Sequence, residues 1–479
     1  MAWSNPFRRR DENTRTLWGY TFQLTEDHLS EEESRPLKYS YDKLGEECLD
    51  ILNELDSATK SEKVSTKTEV QDPLKPRRTK PKRDLYKLLE SHVQDHPKLQ
   101  ELWTQLNTIP EWVDWDQISR GQEVFYRYGG ATLTGLAYQS LLGGMGANRV
   151  VEVLARTGGF GVKVARHRLF ETTQHVLECT KSLDSIQPGG AGFASSVRVR
   201  LLHAAVRQRI LKLEQSRPGY YNIDEFGVPI NDHDCIATIG TFSATIVWLS
   251  LPRQGLFLRR QEIEDYIALW RLIAHYTGTP TDPFKNPEKA KATMESIVMR
   301  EMHPSETSKI LAGNIIKCLA AQPPTYSSRS YLEVNARWLN GNELCDALGL
   351  GQPSIYYWAL MGGQCLFFMA LCYIYRSFRS LDQRKITALR KLFWTVIVEG
   401  KYGLGEKTVF DFKYVPDFHV TTEAGGDEKG QAGVREDGVE RRNLQALLVG
   451  IACGGVGVYC SIFVASSILK RLPSFWSWF

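Results

Sequence analysis

The sequence predicts an all-α fold, in which one large helical domain is followed by a C-terminal transmembrane helix. Apolar residues recur at spacings of three and four from Pro110 to about Phe412, as in Tyr266–Ile273, which is the pattern of amphipathic helices. Strand-like alternation is scarce over the same stretch. The segment Leu444–Leu469 contains no charged residue and is bounded by basic residues. With 479 residues, the chain is long enough to bury a large core.

Composition and motifs exclude several classes of protein. The net charge of +4 is spread over many acids and bases, which does not indicate a nucleic-acid-binding surface. The nine cysteines form no Cys-x-x-Cys pair, which argues against a structural zinc site or a disulfide framework and fits a reducing compartment. The basic N-terminus is not followed by an apolar run, so a cleaved secretory signal is not expected. P-loop, Gly-x-Ser-x-Gly and His-Glu-x-x-His motifs are also missing from the sequence.

The N-terminal part, residues 1–84, is predicted to be a partly disordered extension. Asp56–Arg83 is charged, interrupted by prolines and almost free of large apolar residues, so it cannot bury a core. A short helix is predicted at Leu85–His96, before the next proline. It carries His92 and His96 four residues apart; without a third ligand, this pair is more typical of a solvated helix end than of a metal site.

The main helical domain is predicted to span residues 85–415. Clusters of glycine and proline divide it and predict helix ends or points of close packing. These clusters lie at Gly129–Gly130, Gly143–Gly146, Gly158–Gly161, Pro188–Gly190 and Pro218–Gly219.

The C-terminal part is predicted to be a flexible linker (416–443), a membrane anchor (444–469) and a short tail (470–479). As a helix, the anchor would reach roughly 39 Å, which exceeds the hydrocarbon core of about 30 Å. Aromatic residues in the tail are of the kind that anchor a helix at the membrane interface. A second uncharged stretch, Gly351–Tyr375, is favoured as a helix of the globular body, with a second span as the alternative.

The segment Val197–Ile210 carries a candidate ligand, His203. Arg200 and Arg207 lie three residues before it and four after it, so all three side chains project from one side of a helix. A neutral imidazole between two guanidinium groups could ligate a haem iron while the arginines bind the propionates. The alternative is a hydrogen-bonded histidine with solvent-facing arginines, and the spacing alone does not decide between them.

A second set of candidates lies upstream on another predicted helix. Arg168, Glu171 and Thr172 share a helical face, where they could polarise a bound oxygen species and move a proton. They could equally form an exposed helix with a salt bridge. Downstream, Thr238 lies in an apolar helix, where a hydroxyl usually bonds the carbonyl four residues back and less often lines a pocket.

Taken together and in their order along the chain, several strings resemble a known family, that of the bacterial latex-clearing rubber oxygenases and the fungal ER-bound oxygenase of mycophenolic acid biosynthesis. The strings are Pro110–Asp116 with Arg120, Arg156–Gly158, Arg168–Thr172, Arg200–Arg207, Val228–Asn231, the helix with Thr238 and Ser243, and Asn340–Leu350.

The resemblance implies an all-α, globin-like core that holds a haem b, with His203 as the proximal iron ligand. Arg200 and Arg207 would support it, and Thr238 would belong to the same cofactor site. Arg168 and Thr172 would lie on the distal side. The resemblance also implies attachment to a membrane, in particular that of the endoplasmic reticulum.

One departure from the family pattern bears on the substrate. Rubber-cleaving members carry a lysine just before the distal threonine, and here Glu171 stands there. We therefore expect a membrane-anchored, haem-dependent oxygenase that uses dioxygen to oxidise a smaller apolar isoprenoid or to cleave its C=C bond. The alternative is a non-catalytic, membrane-tethered helical scaffold or ligand-binding protein of the same fold.

Overall fold

The structure, a computed structural model, describes residues 10–65, 83–409 and 438–471, and it confirms the all-α prediction, since 73% of these described residues are helical. The helices are α1 (Glu31–Leu37), α2 (Lys43–Ser65), α3 (Leu85–His92), α4 (Pro97–Asn107), α5 (Trp115–Thr134), α6 (Asn148–Arg156), α7 (Val162–Thr180), α8 (Leu183–Ile186), α9 (Ala191–Ser216), α10 (Ile223–Phe226), α11 (Asp232–Phe242), α12 (Leu251–Arg253), α13 (Arg260–Tyr276), α14 (Pro287–Arg300), α15 (Glu306–Leu319), α16 (Arg329–Asn340), α17 (Asn342–Ala347), α18 (Ile355–Arg376), α19 (Arg379–Trp394) and α20 (Val439–Arg471). Shorter 3-10 turns lie at Val93–Asp95 and Asp282–Phe284, and π-helical segments at Gly135–Leu142, Ile246–Ser250 and Thr395–Glu399.

The centre of the body is the pair α5 and α13, which pack closely along their length. Gly121 makes this approach possible, because a Cβ at this position would lie 2.3 Å from the carbonyl oxygen of Asp265. Later in α5, Gly129 breaks the helix with a φ of +23°, a backbone conformation that favours glycine. A Cβ at the next residue, Gly130, would lie 2.8 Å from the Phe368 ring, so the predicted cluster Gly129–Gly130 is a point of close packing.

Helices α7 and α9 form a second closely packed pair, which carries the candidate site. The connection between them turns sharply through the predicted Pro188–Gly190 cluster. At the start of α9, Gly192 allows the two backbones to meet, since a Cβ there would lie 2.7 Å from the carbonyl oxygen of Glu178. The candidate residues of both helices are thus brought to neighbouring positions.

The N-terminal segment differs from the predicted extension. Strands β1 (Thr14–Leu17) and β2 (Tyr20–Gln23) form an antiparallel hairpin. Its two-residue turn consists of Trp18 and Gly19, both with positive φ, as a type I′ turn requires. The Tyr20 hydroxyl donates a hydrogen bond of 2.6 Å to Glu295 in α14. Sequence reasoning missed this hairpin because Trp-Gly is not among the usual turn pairs.

Helix α2 also belongs to the body. Its side chains Cys48 and Leu52 are fully buried in the main apolar core, and the helix packs along α9. The prediction that residues 1–84 form a separate extension is therefore wrong for residues 10–65, because the apolar residues before Asp56 supply a buried face. The rest of that extension, most of the 416–443 linker and residues 472–479 of the tail lie outside the described residues.

Three segments are long and apolar enough to cross a membrane: Asp232–Arg253, Ile355–Arg376 and Val439–Ser466. The first is largely buried within the body, and α18 packs against α5, α16 and α19 in addition to α20. The apolar stretch of α20 is not buried at all. This arrangement agrees with the favoured interpretation of Gly351–Tyr375 as a helix of the body and leaves α20 as the candidate anchor.

Candidate functional site

His203 lies in α9 and its side chain is partly buried. Its Nδ1 is buried and has no hydrogen-bond partner within the described part of the chain. Burial, reinforced by the positive charge of Arg207, lowers the pKa of His203 to about 4. The imidazole is therefore neutral at pH 7, which is the form that can ligate a metal.

The two arginines that flank His203 are already held by carboxylates of α2 and the loop before it. The Arg200 guanidinium makes a bidentate pair with Asp42, with both N–O distances at 2.7 Å. Arg207 contacts Glu46 at 3.1 Å and also donates to the carbonyl of Ile230 at 2.9 Å. Sequence reasoning placed these arginines on haem propionates, whereas in the structure they attach α9 to the N-terminal segment. Their role as propionate ligands stays a prediction that these contacts weigh against.

On α7, the side chains of Arg168 and Glu171 lie close together, whereas Thr172 faces solvent. The Arg168 Nη1 lies 3.6 Å from Glu171 Oε2. Glu171 is buried, and its Oε1 accepts a 2.7 Å hydrogen bond from the Thr408 hydroxyl. Thr172 is exposed. The predicted salt bridge is thus present, but the Glu171 carboxylate is buried and not exposed as on a solvated helix.

Thr238 lies on α11, beside a position that has free space. Its hydroxyl donates to the carbonyl of Asp234, four residues back, at 2.8 Å, as such hydroxyls usually do. The side chain is nevertheless exposed. Two residues further on, Gly240 is buried, yet a Cβ built there would meet no atom within 4 Å. The two residues lie on different faces of α11, because residues two apart on a helix do not share a face, so the predicted place of Thr238 in a cofactor site stays a prediction.

His175 was missed by the sequence analysis. It lies one helical turn after Glu171 on α7, is buried, and has Nδ1 at 3.0 Å from the Ser195 hydroxyl of α9. Burial lowers its pKa to about 4, and the charge of His203 adds to this effect, so the two imidazoles lie near each other. The signal in the sequence was the four-residue spacing from Glu171.

A buried cluster of charges also lies next to α11 and was not predicted. Arg149 pairs with Glu301 at 2.8 Å and with Asp234. His233 lies near the same cluster, with its Nε2 at 3.9 Å from Glu301. Burial raises the pKa of Asp234 to about 6 and lowers that of His233 to about 4. These groups connect α6, α11 and the end of α14, and they stabilise the helix that carries Thr238.

Two surface hollows near the site are polar. One lies at the start of α7 and is lined by Lys163, Arg166, His167 and Lys317 among others. The second lies beside Asp42 and Arg200. Neither is the apolar pocket that the resemblance implies. Among the described residues, no group of three or more His, Cys, Asp or Glu side chains could hold a metal ion. His92 and His96 therefore have no third such ligand in that part of the chain.

The comparisons with known proteins agree with the fold. The family model described as ER-bound oxygenase mpaB/B′/rubber oxygenase, catalytic domain, matches residues 126–368, just over half of the chain. A rubber oxygenase of Streptomyces sp. (strain K30) is 22% identical over 270 residues, which cover 54% of this chain and 61% of that protein. Aurantioclavine synthase cnsA of Penicillium expansum is 58% identical over a short stretch of 33 residues, 7% of each chain.

The solved structure of latex clearing protein in its closed state shares the fold. It has a TM-score of 0.53 and 15% identity, and the match covers 79% of this chain and 94% of that one. The sequence matches span less than two thirds of the length of either curated relative. The family match, together with this shared fold, covers both helices of the candidate site. The chain therefore belongs to the family of ER-bound oxygenases of the mpaB type and rubber oxygenases.

Proposed function

We propose that this protein is a membrane-anchored, haem-dependent oxygenase that uses dioxygen to oxidise an apolar isoprenoid or to cleave its C=C bond oxidatively. Membership of the family supports an oxygenase activity. The haem, the substrate class and the bond attacked are parts of the proposal. The observation that carries it is His203, a neutral imidazole whose buried Nδ1 has no hydrogen-bond partner among the described residues, in a family of oxygenases.

The residues around His203 fit a haem. An imidazole can bind iron only when a ring nitrogen is free of a proton, and the low pKa of His203 ensures this at pH 7. The buried Nδ1 of His203, which has no hydrogen-bond partner among the described residues, is the atom that would hold the iron. When bound, a haem would supply the iron that activates dioxygen.

The side chains of α7 would handle charge and protons. Arg168 would orient Glu171 and stabilise negative charge that develops on the reacting oxygen. Because the Thr408 hydroxyl occupies Oε1 of Glu171, the oxygen that would accept or return a proton is Oε2, on the Arg168 side. Thr172 is exposed and would offer its hydroxyl to a ligand directly.

Helix α20 would anchor the protein in a membrane, and the family description favours the endoplasmic reticulum. Its apolar stretch is long enough to cross a bilayer, and from Ile451 to Ala465 all of its side chains are exposed. An apolar substrate dissolves in the same bilayer, so the anchor would keep the enzyme beside its substrate. No nucleic acid is expected to take part.

The test is the visible spectrum of the full chain, produced with added haem, compared with that of His203→Ala. We expect a haem absorption band in the wild type and its loss in the variant. The matched control is His303→Ala, which removes an exposed imidazole and should leave the band unchanged. Added imidazole should restore the band in His203→Ala, because a small ligand can occupy the space that the side chain leaves.

Two results would count against the proposal. A folded wild type without bound haem would remove the cofactor and would favour the non-catalytic scaffold. Binding of haem by His203→Ala with an unchanged spectrum would remove His203 as the ligand. If haem is bound, oxygen consumption with isoprenoids of increasing length then tests the substrate class, with unsaturated chains active and saturated analogues inactive.

A further inference from the structure

Four large apolar side chains form an exposed surface on one side of the body. Leu366, Ile374 and Phe378 lie four or eight residues apart along α18 and just beyond its end, and they are 41%, 58% and 59% exposed. Phe257, 61% exposed, joins them, since its backbone bonds the side chains of Tyr373 and Arg376 at 3.1 and 2.9 Å. We call these four residues the α18 face.

Helix α20 is fixed against α18 over its first turns. A Cβ at Gly363 would lie 2.1 Å from the carbonyl oxygen of Asn443, so the two backbones touch. Gln364 accepts a 2.6 Å hydrogen bond from the Tyr331 hydroxyl, and the buried Asn443 amide also contacts that hydroxyl. A polar network buried at a helix contact favours one orientation, because any other would leave these groups unpaired.

The two helices run in the same direction along this contact. Gly363 lies against Asn443 and Leu447, and Leu366 lies against Gly450 further along both chains. Beyond Gly450, α20 is exposed throughout its described side chains. The α18 face therefore lies alongside the candidate membrane anchor and continues in the direction in which the anchor leaves the body.

Basic side chains surround the α18 face. Arg259 follows Phe257 closely, and Arg379 and Arg384 follow Phe378, all with exposed side chains. The neighbouring Arg260 is paired with carboxylates of Glu264 and Glu288. Arginines beside an exposed apolar surface match the chemistry of a membrane interface, where they meet the phosphates of anionic lipids. An aqueous surface would not need large apolar side chains at these positions.

We propose that the α18 face rests on the lipid bilayer, with its apolar side chains among the upper acyl chains and the arginines at the headgroups. The α18–α20 contact holds the body in this orientation, so that α20 acts as a rigid support and not as a loose tether. This inference depends on the proposed membrane anchor, and the experiment below separates a failure of one from a failure of the other.

The experiment places one environment-sensitive fluorophore at a time on the full chain in vesicles that contain anionic phospholipid. In a Cys453→Ala, Cys460→Ala background, the dye is attached at Phe378→Cys, at Phe257→Cys or at the control Tyr39→Cys, which lies in the N-terminal segment between α1 and α2. The natural Cys460, kept in a separate variant, reports on the anchor. Lipids with a spin label near the headgroup quench dyes that lie at the interface.

We expect at least twofold quenching at 378 and 257, none at 39, and quenching at Cys460 by lipids labelled deeper in the chain. If 378 and 257 behave like 39 while Cys460 is quenched, the anchor stands and the present inference is wrong. If Cys460 is not quenched either, the anchor itself is wrong, and the inference fails with it.

A matched pair of glycine variants tests the rigid support. Gly363→Val drives a side chain into the Asn443 carbonyl, whereas a Cβ at the neighbouring Gly362 meets no atom within 4 Å. Gly363→Val should at least halve the quenching at 378 and leave Cys460 quenched, and Gly362→Val should change neither. Equal quenching at 378 in both variants would show that the α18–α20 contact does not orient the body.

Discussion

Acid should destabilise this protein because several of its histidines are buried in the neutral form in the folded state. His175 and His233 each have a pKa near 6.5 in an unfolded chain, and burial lowers both to about 4 in the folded state. Between these values the unfolded chain binds protons that the folded chain does not. The stability is therefore complete above about pH 6.5 and falls as the pH is lowered towards 4.

The size of the effect follows from the two pKa shifts. Each histidine costs about 2 kcal/mol of unfolding free energy between pH 7 and pH 5, so the pair costs about 4 kcal/mol. Asp234 acts in the opposite direction, because burial raises its pKa from 3.8 to about 6 and the folded state takes up its proton first. This offsets about 1 kcal/mol, so these three groups together account for a loss of about 3 kcal/mol. His203, whose pKa burial also lowers to about 4, adds about 2 kcal/mol to the loss.

Denaturant unfolding of the full chain in detergent, followed by helical circular dichroism at pH 7 and pH 5, measures this loss. The variant His175→Gln keeps a polar side chain beside the Ser195 hydroxyl but cannot titrate, so its loss over the same range should be smaller by about 2 kcal/mol. A wild-type stability that is constant or higher at pH 5 would refute the reasoning. So would the same pH dependence in wild type and variant.

Two further predictions concern packing and buried charge. Gly121→Ala places a Cβ 2.3 Å from the Asp265 carbonyl oxygen and should lower the free energy of unfolding by about 1–3 kcal/mol. Gly313→Ala on α15 has open space and should raise it by a few tenths to about 1 kcal/mol. Thermal unfolding measures both, and equal melting temperatures would contradict the α5–α13 contact. Arg149→Ala leaves the buried Asp234 without its cation and Glu301 with Lys38 alone, and it should cost about 3–5 kcal/mol. The exposed Arg260→Ala should leave stability unchanged. Similar unfolding curves for these two arginine variants would show that the buried cluster is not needed.

The helical spacing in the sequence predicted which segments fold, but not which distant groups they meet. The pattern of Val197–Ile210 predicted helix α9 and placed His203 on its inner side. It could not predict that Arg200 and Arg207 bind carboxylates, because Asp42 and Glu46 lie 158 and 161 residues away in the chain. An arginine next to a candidate ligand is equally suited to a propionate and to an aspartate.

The sequence also failed to predict two features that depend on tertiary contacts. The hairpin at Trp18–Gly19 is held by the hydrogen bond from Tyr20 to Glu295. No local sequence pattern predicts this contact. The four-residue spacing from Glu171 puts His175 on the same face of α7, but the spacing does not show that this face meets Ser195 of α9. Spacing within one helix predicted the position of each side chain on that helix, whereas the composition of the site was set by the packing of two helices.

The candidate site is completed by residues from outside the range that matches the family model. Asp42 and Glu46 hold the arginines beside His203, and Thr408 holds Glu171. The match covers only residues 126–368. The segments before and after it thus fix the charge and the orientation of the groups closest to the proposed cofactor. Differences in substrate between this protein and the rubber oxygenases should therefore depend on these flanking segments as much as on the shared helices.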